Sequence, residues 1–202
     1  AAGAWRAAKL VVLPTDTVYG LAADAFDPSA VAKLLEAKGR GREMPPPVLI
    51  ADAVTLDALA AERPPTWLRE MLDELWPGPL TVVFKAQPSL TWDLGETYGT
   101  VAVRVPDHEV ARSVLRLAGP TAVSSANLSG QPAATSVDEA QSMLGESVSV
   151  YLDAGNSAGS LPSTILDATG PIPRVLRQGA ISIETLHKFN NTIEPFGGQA
   201  GA

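Results

Sequence analysis

The sequence contains no cysteine and only two histidines, His108 and His187. Without cysteine there is no disulfide, no thiol nucleophile and no Cys-ligated zinc site. The two histidines lie far apart in the chain and match no metal-ligand spacing, so we predict no metal site built from the protein's own side chains. No run approaches the ~18 apolar residues of a membrane-spanning helix. We therefore expect no membrane association.

Basic residues are in the minority, with 15 Lys and Arg against 22 Asp and Glu and a formal net charge of -7. Proteins that hold nucleic acid through bulk charge need a clustered cationic surface, so this balance argues against that class while leaving room for a local basic groove. The N-terminal segment reaches Pro14 after only four apolar residues and lacks the apolar core of a secretory signal. We expect a cytoplasmic protein.

Short apolar, β-branched runs alternate with helical patterns, which predicts an α/β fold built on one large sheet. The predicted strands span residues 10–13, 48–50, 80–84, 100–105, 121–124, 149–152, 163–166 and 174–177. The predicted helices span residues 28–38, 54–61, 66–75, 107–117, 136–144 and 183–189. Two of these helices begin with recognisable caps, Asp27 followed by Pro28 and the Ser136/Glu139 capping box. We predict one domain over 9–188, an N-terminal extension over 1–8 and a poorly ordered tail over 189–202.

Polar segments follow several of the predicted strands, and ligands of open α/β sheets bind at strand ends. The first is Pro14-Thr-Asp-Thr-Val-Tyr-Gly20. If this segment is extended, Thr15, Thr17 and Tyr19 share one side and form a wall of hydroxyl groups. The alternative is a turn in which the Thr and Asp side chains satisfy local backbone groups.

The second segment is Lys38-Gly-Arg-Gly-Arg42, at the end of a predicted helix. Three cations separated by glycines suit a polyphosphate. The alternative is a solvated run whose charges interact favourably with the helix dipole.

On the predicted strand 100–105, Arg104 stands among valines and is expected to be partly buried. A buried guanidinium requires an anionic partner, from the protein or from a ligand.

The third polar segment is Ser124-Ser-Ala-Asn-Leu-Ser-Gly130, where small side chains leave room for a ligand and offer donors and acceptors. Its alternative is an ordinary turn after a strand. Nucleotide-binding glycine signatures of the P-loop and dinucleotide types are absent, as is the nucleophile elbow of serine hydrolases. The remaining groups, cations with hydroxyls and amides, suit the positioning and charge stabilisation of a phosphate.

Together, seven motifs resemble in their order those of the YrdC-type threonylcarbamoyladenylate synthases. The resemblance covers roughly residues 9–186. Its motifs are Pro14-Thr-Asp-Thr-Val-Tyr-Gly-Leu21, Lys38-x-Arg40, Trp76-Pro-Gly-Pro-Leu-Thr81, Val101-Ala-Val-Arg-Val-Pro106, Ser124-Ser-Ala-Asn-Leu-Ser-Gly130, Ser163-Thr-Ile165 and Leu176-Arg-x-Gly179.

The resemblance implies a twisted open mixed sheet flanked by helices, with a basic concave cavity. It also implies an enzyme that joins L-threonine, bicarbonate and ATP into threonylcarbamoyl-AMP and releases pyrophosphate. The product would feed the tRNA machinery that makes N6-threonylcarbamoyladenosine at position 37, and Mg²⁺ would arrive with ATP. In-line attack of the N-carboxylated threonine on the α-phosphorus would be the chemical step.

The resemblance also assigns residues. Lys38 and Arg40 would grip the phosphates and stabilise the charge of the reaction. The other ATP-binding residues implied are Thr100, Ser125, Asn127 and Arg177, and the threonine-binding residues implied are Thr15, Thr17, Tyr19, Arg104, Ser124 and Ser163. The chain departs from the family at Gly41, where Pro is frequent, at Met44, where the family often has a polar residue, and at Leu49, where His or Asn is common.

Two other functions remain open at the level of sequence. One is a double-stranded RNA or ribosome-assembly factor that uses a basic cavity without catalysis, against which the net charge of -7 counts. For the synthase reading, weak RNA binding in addition to catalysis is also left open. The other is the carbamoyl-adenylate chemistry of hydrogenase maturation, in which a similar domain belongs to a much longer chain with Cys-rich modules.

Overall fold

The computed structural model describes residues 1–159 and 161–197, and nine strands in these residues form one mixed sheet. The strand order across the sheet is β7-β1-β2-β6-β3-β5-β4-β8-β9. The strands are β1 Val11–Leu13, β2 Gly20–Asp24, β3 Val48–Leu49, β4 Leu80–Lys85, β5 Thr100–Arg104, β6 Thr121–Ser125, β7 Val150–Tyr151, β8 Thr164–Asp167 and β9 Arg174–Arg177. The neighbours β1/β7, β3/β5 and β4/β8 are parallel and the other pairs are antiparallel.

Seven α-helices in the described residues flank the sheet. They are α1 Ala2–Trp5, α2 Pro28–Lys38, α3 Leu56–Leu59, α4 Thr66–Leu75, α5 Glu109–Ala118, α6 Val137–Leu144 and α7 Ile183–His187. Asp27 begins α2 as predicted, because its carboxylate accepts hydrogen bonds from the backbone N–H groups of Ser29 and Ala30. Gly39 ends this helix with φ of 64° in the left-handed region, where glycine carries little steric cost. The turn that follows carries Arg40.

The sheet is covered on both faces, by different sets of helices. On one face α2, α3, α4, α6 and α7 contribute apolar side chains to the main core, and on the other α1 and α5 form a smaller one. Alternation along β5 sends Val101 and Val103 into the main core and turns Arg104 to the opposite face. The architecture confirms the predicted single-domain, mixed α/β fold.

The predicted elements are largely present, with two corrections. Strand β2 was not predicted, because its Gly-Leu-Ala-Ala-Asp sequence lacks the β-branched residues that indicate a strand. The helix predicted over 54–61 is a 3₁₀ turn, Ala53–Thr55, followed by the single turn α3.

The packed domain extends beyond 9–188 on both sides. Trp5, in the predicted extension, is 2% exposed and donates from its indole nitrogen to the carbonyl of Ala22 at 3.2 Å. In the predicted tail, Ile193 is 2% exposed, and the carbonyl of Glu194 accepts from the backbone N–H of Val175 on β9 at 2.8 Å. Ile193 and Glu194 therefore pack against the rest of the domain, and residues 198–202 of the predicted tail lie outside the described residues.

Candidate functional site

The segment 14–19 between β1 and β2 is a bend rather than an extended chain. The hydroxyl of Thr15 donates to the Val18 carbonyl at 2.6 Å and accepts from the backbone N–H of Thr17, as expected for a local turn. Tyr19 is fully buried, and its hydroxyl donates to the Gly155 carbonyl at 2.6 Å. The single wall of three hydroxyls is therefore not formed. Thr17 alone of the three bonds to a charged residue of the predicted site.

That charged residue is Arg104, which is 6% exposed at the end of β5. Its guanidinium donates to the Thr17 hydroxyl at 3.0 Å, to the Gly78 carbonyl at 2.9 Å and to the carboxylate of Asp16. The anionic partner left open by the sequence is thus a protein carboxylate. Burial lowers the pKa of Arg104, and the charge of Asp16 opposes that shift.

Asp16 also accepts from the backbone N–H of Asp107 at 3.1 Å. Both bonds use its Oδ1 atom, and Oδ2 is buried without a hydrogen-bond partner in the described residues. One carboxylate therefore joins the bend after β1 to the end of β5 and the start of α5. Its monodentate pairing leaves some N–H groups of Arg104 available to a second acceptor.

Lys38 lies at the end of α2 and is 1% exposed. Its Nζ donates to the Ser125 carbonyl at 2.5 Å, to the Asn127 carbonyl at 2.8 Å and to Asn127 Oδ1 at 3.1 Å. Burial, and to a smaller extent the neighbouring charge of Arg40, lower the pKa of Lys38 to about 7. All three ammonium hydrogens have protein acceptors, so Lys38 holds the segment after β6 and adds its charge to the site.

Arg40 lies close to the same segment. Its guanidinium donates to the hydroxyls of Ser124 and Ser129, each at 3.2 Å, and burial lowers its pKa. Within the described residues it forms no ion pair. Arg42 differs, because it is paired with Asp93 at 2.7 Å and its side chain is 56% exposed. Of the three cations in the glycine-rich segment, two therefore face the site and the third braces a neighbouring loop.

Ser163 and Arg177 form a further part of the site. Arg177 donates to the Ser163 carbonyl from Nε at 3.1 Å and from Nη2 at 2.9 Å, and from Nη2 to the Ser163 hydroxyl at 3.0 Å. The same hydroxyl lies 2.8 Å from the hydroxyl of Thr81 on β4. The sequence assigned Arg177 and Ser163 to different substrates, whereas the structure places them in direct contact.

These parts meet in one cationic group. Consecutive carbonyls, those of Gly78 and Pro79, accept from Arg104 and from the backbone N–H of Thr164, so Arg104 and the start of β8 are neighbours. Burial is the largest cause that lowers the pKa of Arg177, followed by the charges of Arg104 and then Arg40. Four cations from three chain segments thus lie together, namely Lys38, Arg40, Arg104 and Arg177, and among the described residues the carboxylate of Asp16 pairs with Arg104.

Thr100 stands apart from the other predicted site residues. Its hydroxyl donates to the Thr97 carbonyl at 2.7 Å, and it lies four residues before Arg104 on β5, about 13 Å along the strand. No hydrogen bond joins it to the cationic group in the part of the chain that is described. Its assignment to the ATP site stays a prediction.

Sequence reasoning did not assign Asp16, Gly78 and Thr81 to the site. Asp16 was placed on the side away from the hydroxyls by the assumption of an extended chain. Gly78 and Thr81 belong to the Trp-Pro-Gly-Pro-Leu-Thr motif, to which no role was given. Thr81, a polar residue inside an otherwise apolar strand and 2% exposed, was the available signal, since a buried hydroxyl needs a partner.

Residues 1–159 and 161–197 contain no group of three or more His, Asp or Glu side chains that could hold a metal ion. Among the helices that the structure describes, none has the length and apolarity needed to cross a membrane.

A family profile and the names of similar proteins agree on one family for this chain. The profile of the Sua5/yciO/yrdC family, described as "Telomere recombination", matches residues 3–179. A Mycobacterium tuberculosis (strain H37Rv) protein named "Putative threonylcarbamoyl-AMP synthase" is 53% identical over 186 residues, which cover 92% of this chain and 85% of that protein. The threonylcarbamoyl-AMP synthase of Pyrococcus abyssi is 39% identical over 195 residues, covering 96% of this chain and 57% of the relative.

A solved structure supports the same relation. The crystal structure of P. abyssi Sua5 complexed with L-threonine has a TM-score of 0.89 to this chain at 36% identity, and the match covers 96% of this chain and 57% of the other. This chain therefore spans a little over half of the longer P. abyssi protein.

Proposed function

Because the chain belongs to the Sua5/YciO/YrdC family, we propose that it is a threonylcarbamoyl-AMP synthase. It would act as a nucleotidyltransferase that joins L-threonine, bicarbonate and ATP into threonylcarbamoyl-AMP and pyrophosphate. The product would then serve the machinery that modifies adenosine 37 of tRNA, in the cytoplasm. The names of close relatives support the activity, and a relative's complex with L-threonine supports the amino-acid substrate.

The observation that carries the proposal is the cationic group of Lys38, Arg40, Arg104 and Arg177, in which Asp16 is the paired carboxylate within the described chain. Such an excess of buried or half-buried positive charge is costly unless an anion joins it. A triphosphate and an amino-acid carboxylate supply that charge. The chain as a whole carries -7, so the sign of the charge in this group is opposite to that of the whole chain.

The contacts suggest a division of the site between the two substrates. Arg104 has N–H groups left over and bonds to the hydroxyl of Thr17, which suits the carboxylate of threonine, and Ser163 is carried by the neighbouring start of β8. Arg40 and Lys38, with the segment that holds Ser124, Ser125 and Asn127, suit the phosphates and the rest of ATP. We retain Thr15 and Tyr19 as residues that shape the threonine pocket through their internal bonds, and Thr100 as a nucleotide contact at the far end of β5.

The chemical step transfers the adenylyl group. The ammonium group of threonine first loses a proton to solvent, and the neutral amine then reacts with bicarbonate to give a carbamate and water. A carbamate oxygen then forms a bond to the α-phosphorus of ATP, the bond from that phosphorus to the bridging oxygen breaks, and the electron pair leaves with pyrophosphate. Negative charge builds on the phosphoryl oxygens, and Arg40, Lys38 and Arg177 would stabilise it, Lys38 through its charge alone.

The residues of the site do not suit direct ligation of Mg²⁺, because they are cationic and the nearby carboxylate, Asp16, is bonded to Arg104. We propose that Mg²⁺ enters as MgATP, with ligands from phosphate oxygens and water.

The test is pyrophosphate release by the purified chain, with threonine, bicarbonate and ATP each omitted in turn. We expect release only when all three are present. Arg104→Met, checked for folding by circular dichroism, should lose most of the threonine-dependent release, whereas Arg63→Met on the exposed surface should not. Pyrophosphate release that is independent of threonine and bicarbonate would contradict the proposal.

A further inference from the structure

The hydroxyl pair of Thr81 and Ser163 is the least expected feature of the site. Thr81 is 2% exposed on β4 and Ser163 is 5% exposed immediately before β8. The two strands are parallel neighbours in which Thr81 is opposite Ile165, so Ser163, two positions before Ile165, lies diagonally across from Thr81. Their oxygens are 2.8 Å apart, and either could be the donor. The direction of this bond decides what Ser163 can offer a ligand.

A hydroxyl has one hydrogen to donate and two lone pairs that accept. Arg177 has only N–H donors, so its bond to the Ser163 hydroxyl occupies one lone pair of Ser163. If Ser163 donated to Thr81, the hydrogen of Thr81 would have no acceptor among the residues described and would be buried inside β4. An unpaired buried hydroxyl is unfavourable by roughly 1–3 kcal/mol.

The opposite direction pairs the hydrogen of Thr81 and leaves the hydrogen of Ser163 free, in a position where a bound ligand can accept it. With Thr81 as donor, both lone pairs of Ser163 are filled, and the remaining hydrogen belongs to Ser163 at the strand end. There it adjoins Arg177, which is more than a third exposed. It also lies near Arg104, because the consecutive carbonyls of Gly78 and Pro79 accept from Arg104 and from the backbone N–H of Thr164. A hydroxyl whose oxygen already accepts from a guanidinium is also polarised and becomes a stronger donor.

We infer that Thr81 is a positioning residue that, together with Arg177, restricts Ser163 to donating its hydrogen to the carboxylate of the amino-acid substrate. This inference rests on the proposed function. It deepens that function by adding to the threonine site a residue that does not itself touch the substrate. Thr81 acts only through Ser163, so its removal should affect threonine and leave the binding of ATP nearly unchanged.

The test compares Thr81→Val, which keeps the shape and removes the hydroxyl, with Thr81→Ser, which keeps the hydroxyl. We expect the KM for threonine to rise roughly tenfold in Thr81→Val, the ratio that follows from losing one oriented hydrogen bond to a charged group. The KM for ATP should stay within about twofold of the wild type, and Thr81→Ser should restore the threonine value. Thr121→Val is the matched control, because Thr121, at the start of β6, is 1% exposed and its hydroxyl donates to the Gly119 carbonyl.

A double variant sharpens the test. Adding Thr81→Val to Ser163→Ala should raise the KM for threonine no further than Ser163→Ala alone does, since Thr81 acts through the Ser163 hydroxyl. An unchanged threonine KM in Thr81→Val, equal rises for threonine and ATP, or failure of Thr81→Ser to restore the value would each overturn the inference. If Thr81→Val does not fold, Thr81→Ala takes its place.

Direct calorimetric titration with L-threonine separates this inference from the proposed function. If the wild type releases no pyrophosphate, the proposed function fails. Weaker L-threonine binding by Thr81→Val than by the wild type would still support the role of Thr81, and equal binding would refute it.

Discussion

At the scale of single residues, the site is defined by cations with few carboxylates to match them. Lys38 is held by carbonyl oxygens and an amide oxygen, Arg40 by two hydroxyls, and Arg177 by the oxygens of one serine. Neutral acceptors satisfy the hydrogen-bonding capacity of a cation without cancelling its charge. The net positive charge is therefore kept for a ligand, and the residues differ in whether they can reach it.

Under the proposed function, we expect Arg40 to be the cation that acts on the phosphates, because its partners are the hydroxyls of Ser124 and Ser129, which a phosphate oxygen can replace. We expect Arg40→Ala to lower kcat by roughly 100-fold to 1,000-fold, the usual effect of losing one transition-state donor. Its melting temperature should change by no more than about 2 °C, because the lost bonds are few and half-buried. Steady-state pyrophosphate assays and thermal unfolding measure both quantities. Arg69→Ala, at an exposed position of α4, is the control, and near-normal kcat in Arg40→Ala would refute the role.

Lys38 should make stability depend on pH. Its pKa is about 7 in the folded protein against 10.5 for an ordinary lysine, so between these values the unfolded chain binds the additional proton. Stability from this group therefore rises as pH increases above about 7. Relative to Lys38→Met, the wild type should gain roughly 1–2 kcal/mol in free energy of unfolding between about pH 6.5 and about pH 8.5. Urea unfolding at several pH values tests this, and parallel pH profiles for the two proteins would contradict it.

At the scale of elements, the loops that carry the site are fixed by close backbone approaches. The loop after β7 crosses the bend after β1, where Tyr19 bonds to Gly155 and Gly159 lies directly against the backbone. A Cβ at Gly159 would lie 2.8 Å from the carbonyl oxygen of Asp16 and 3.1 Å from that of Thr17. The two side chains that bond to Arg104 are therefore positioned by a loop more than a hundred residues away in the chain.

Gly159→Ala should consequently disturb the threonine site. Backbone atoms cannot yield as a flexible side chain does, so the bend must shift and carry Asp16 and Thr17 with it. We expect the KM for threonine to rise roughly tenfold, in line with the sensitivity of such sites to displacements of about 1 Å. Gly170→Ala is the control, since the nearest atom to its new Cβ is 3.9 Å away. Equal kinetics for the two variants would show that the loop does not position the site.

At the scale of the whole molecule, the site contrasts with the rest of the surface. Arg42, Lys85, Arg112 and Arg116 each pair with a carboxylate, and the net charge is -7. In the cationic group, by contrast, Asp16 is the one paired carboxylate among the described residues. No observation favours the non-catalytic RNA-binding alternative, and weak RNA binding beside catalysis stays a prediction.

The C-terminal residues also contribute to the stability of the whole molecule, because the packed domain runs past residue 188. Ile193 is 2% exposed, so Ile193→Ala should lower the free energy of unfolding by about 2–4 kcal/mol through lost burial and a cavity. Ile172→Ala, at a position that is 51% exposed, should change it by less than about 0.5 kcal/mol. Urea denaturation compares the two variants, and equal small effects would mean that residues 189–197 contribute little to stability.

The sequence by itself determined the α/β class, most of the strands and helices, and the residue types of the site. It did so because hydrophobic periodicity and end signals such as Asp27 and Gly39 act locally. It also identified the polar segments after the strands as candidate site segments. The strand Gly20–Asp24 was not predicted, because it has no β-branched residues.

Only the tertiary structure decided which of those residues meet. Asp16 as the partner of Arg104, Thr81 as the partner of Ser163 and the contact of Ser163 with Arg177 each join segments distant in the chain. It also separated Lys38 and Arg40, which face the site, from Arg42, which does not. The physical reason is that hydrogen bonds between buried polar groups depend on strand order, register and burial, and these are properties of the packed sheet rather than of any local pattern.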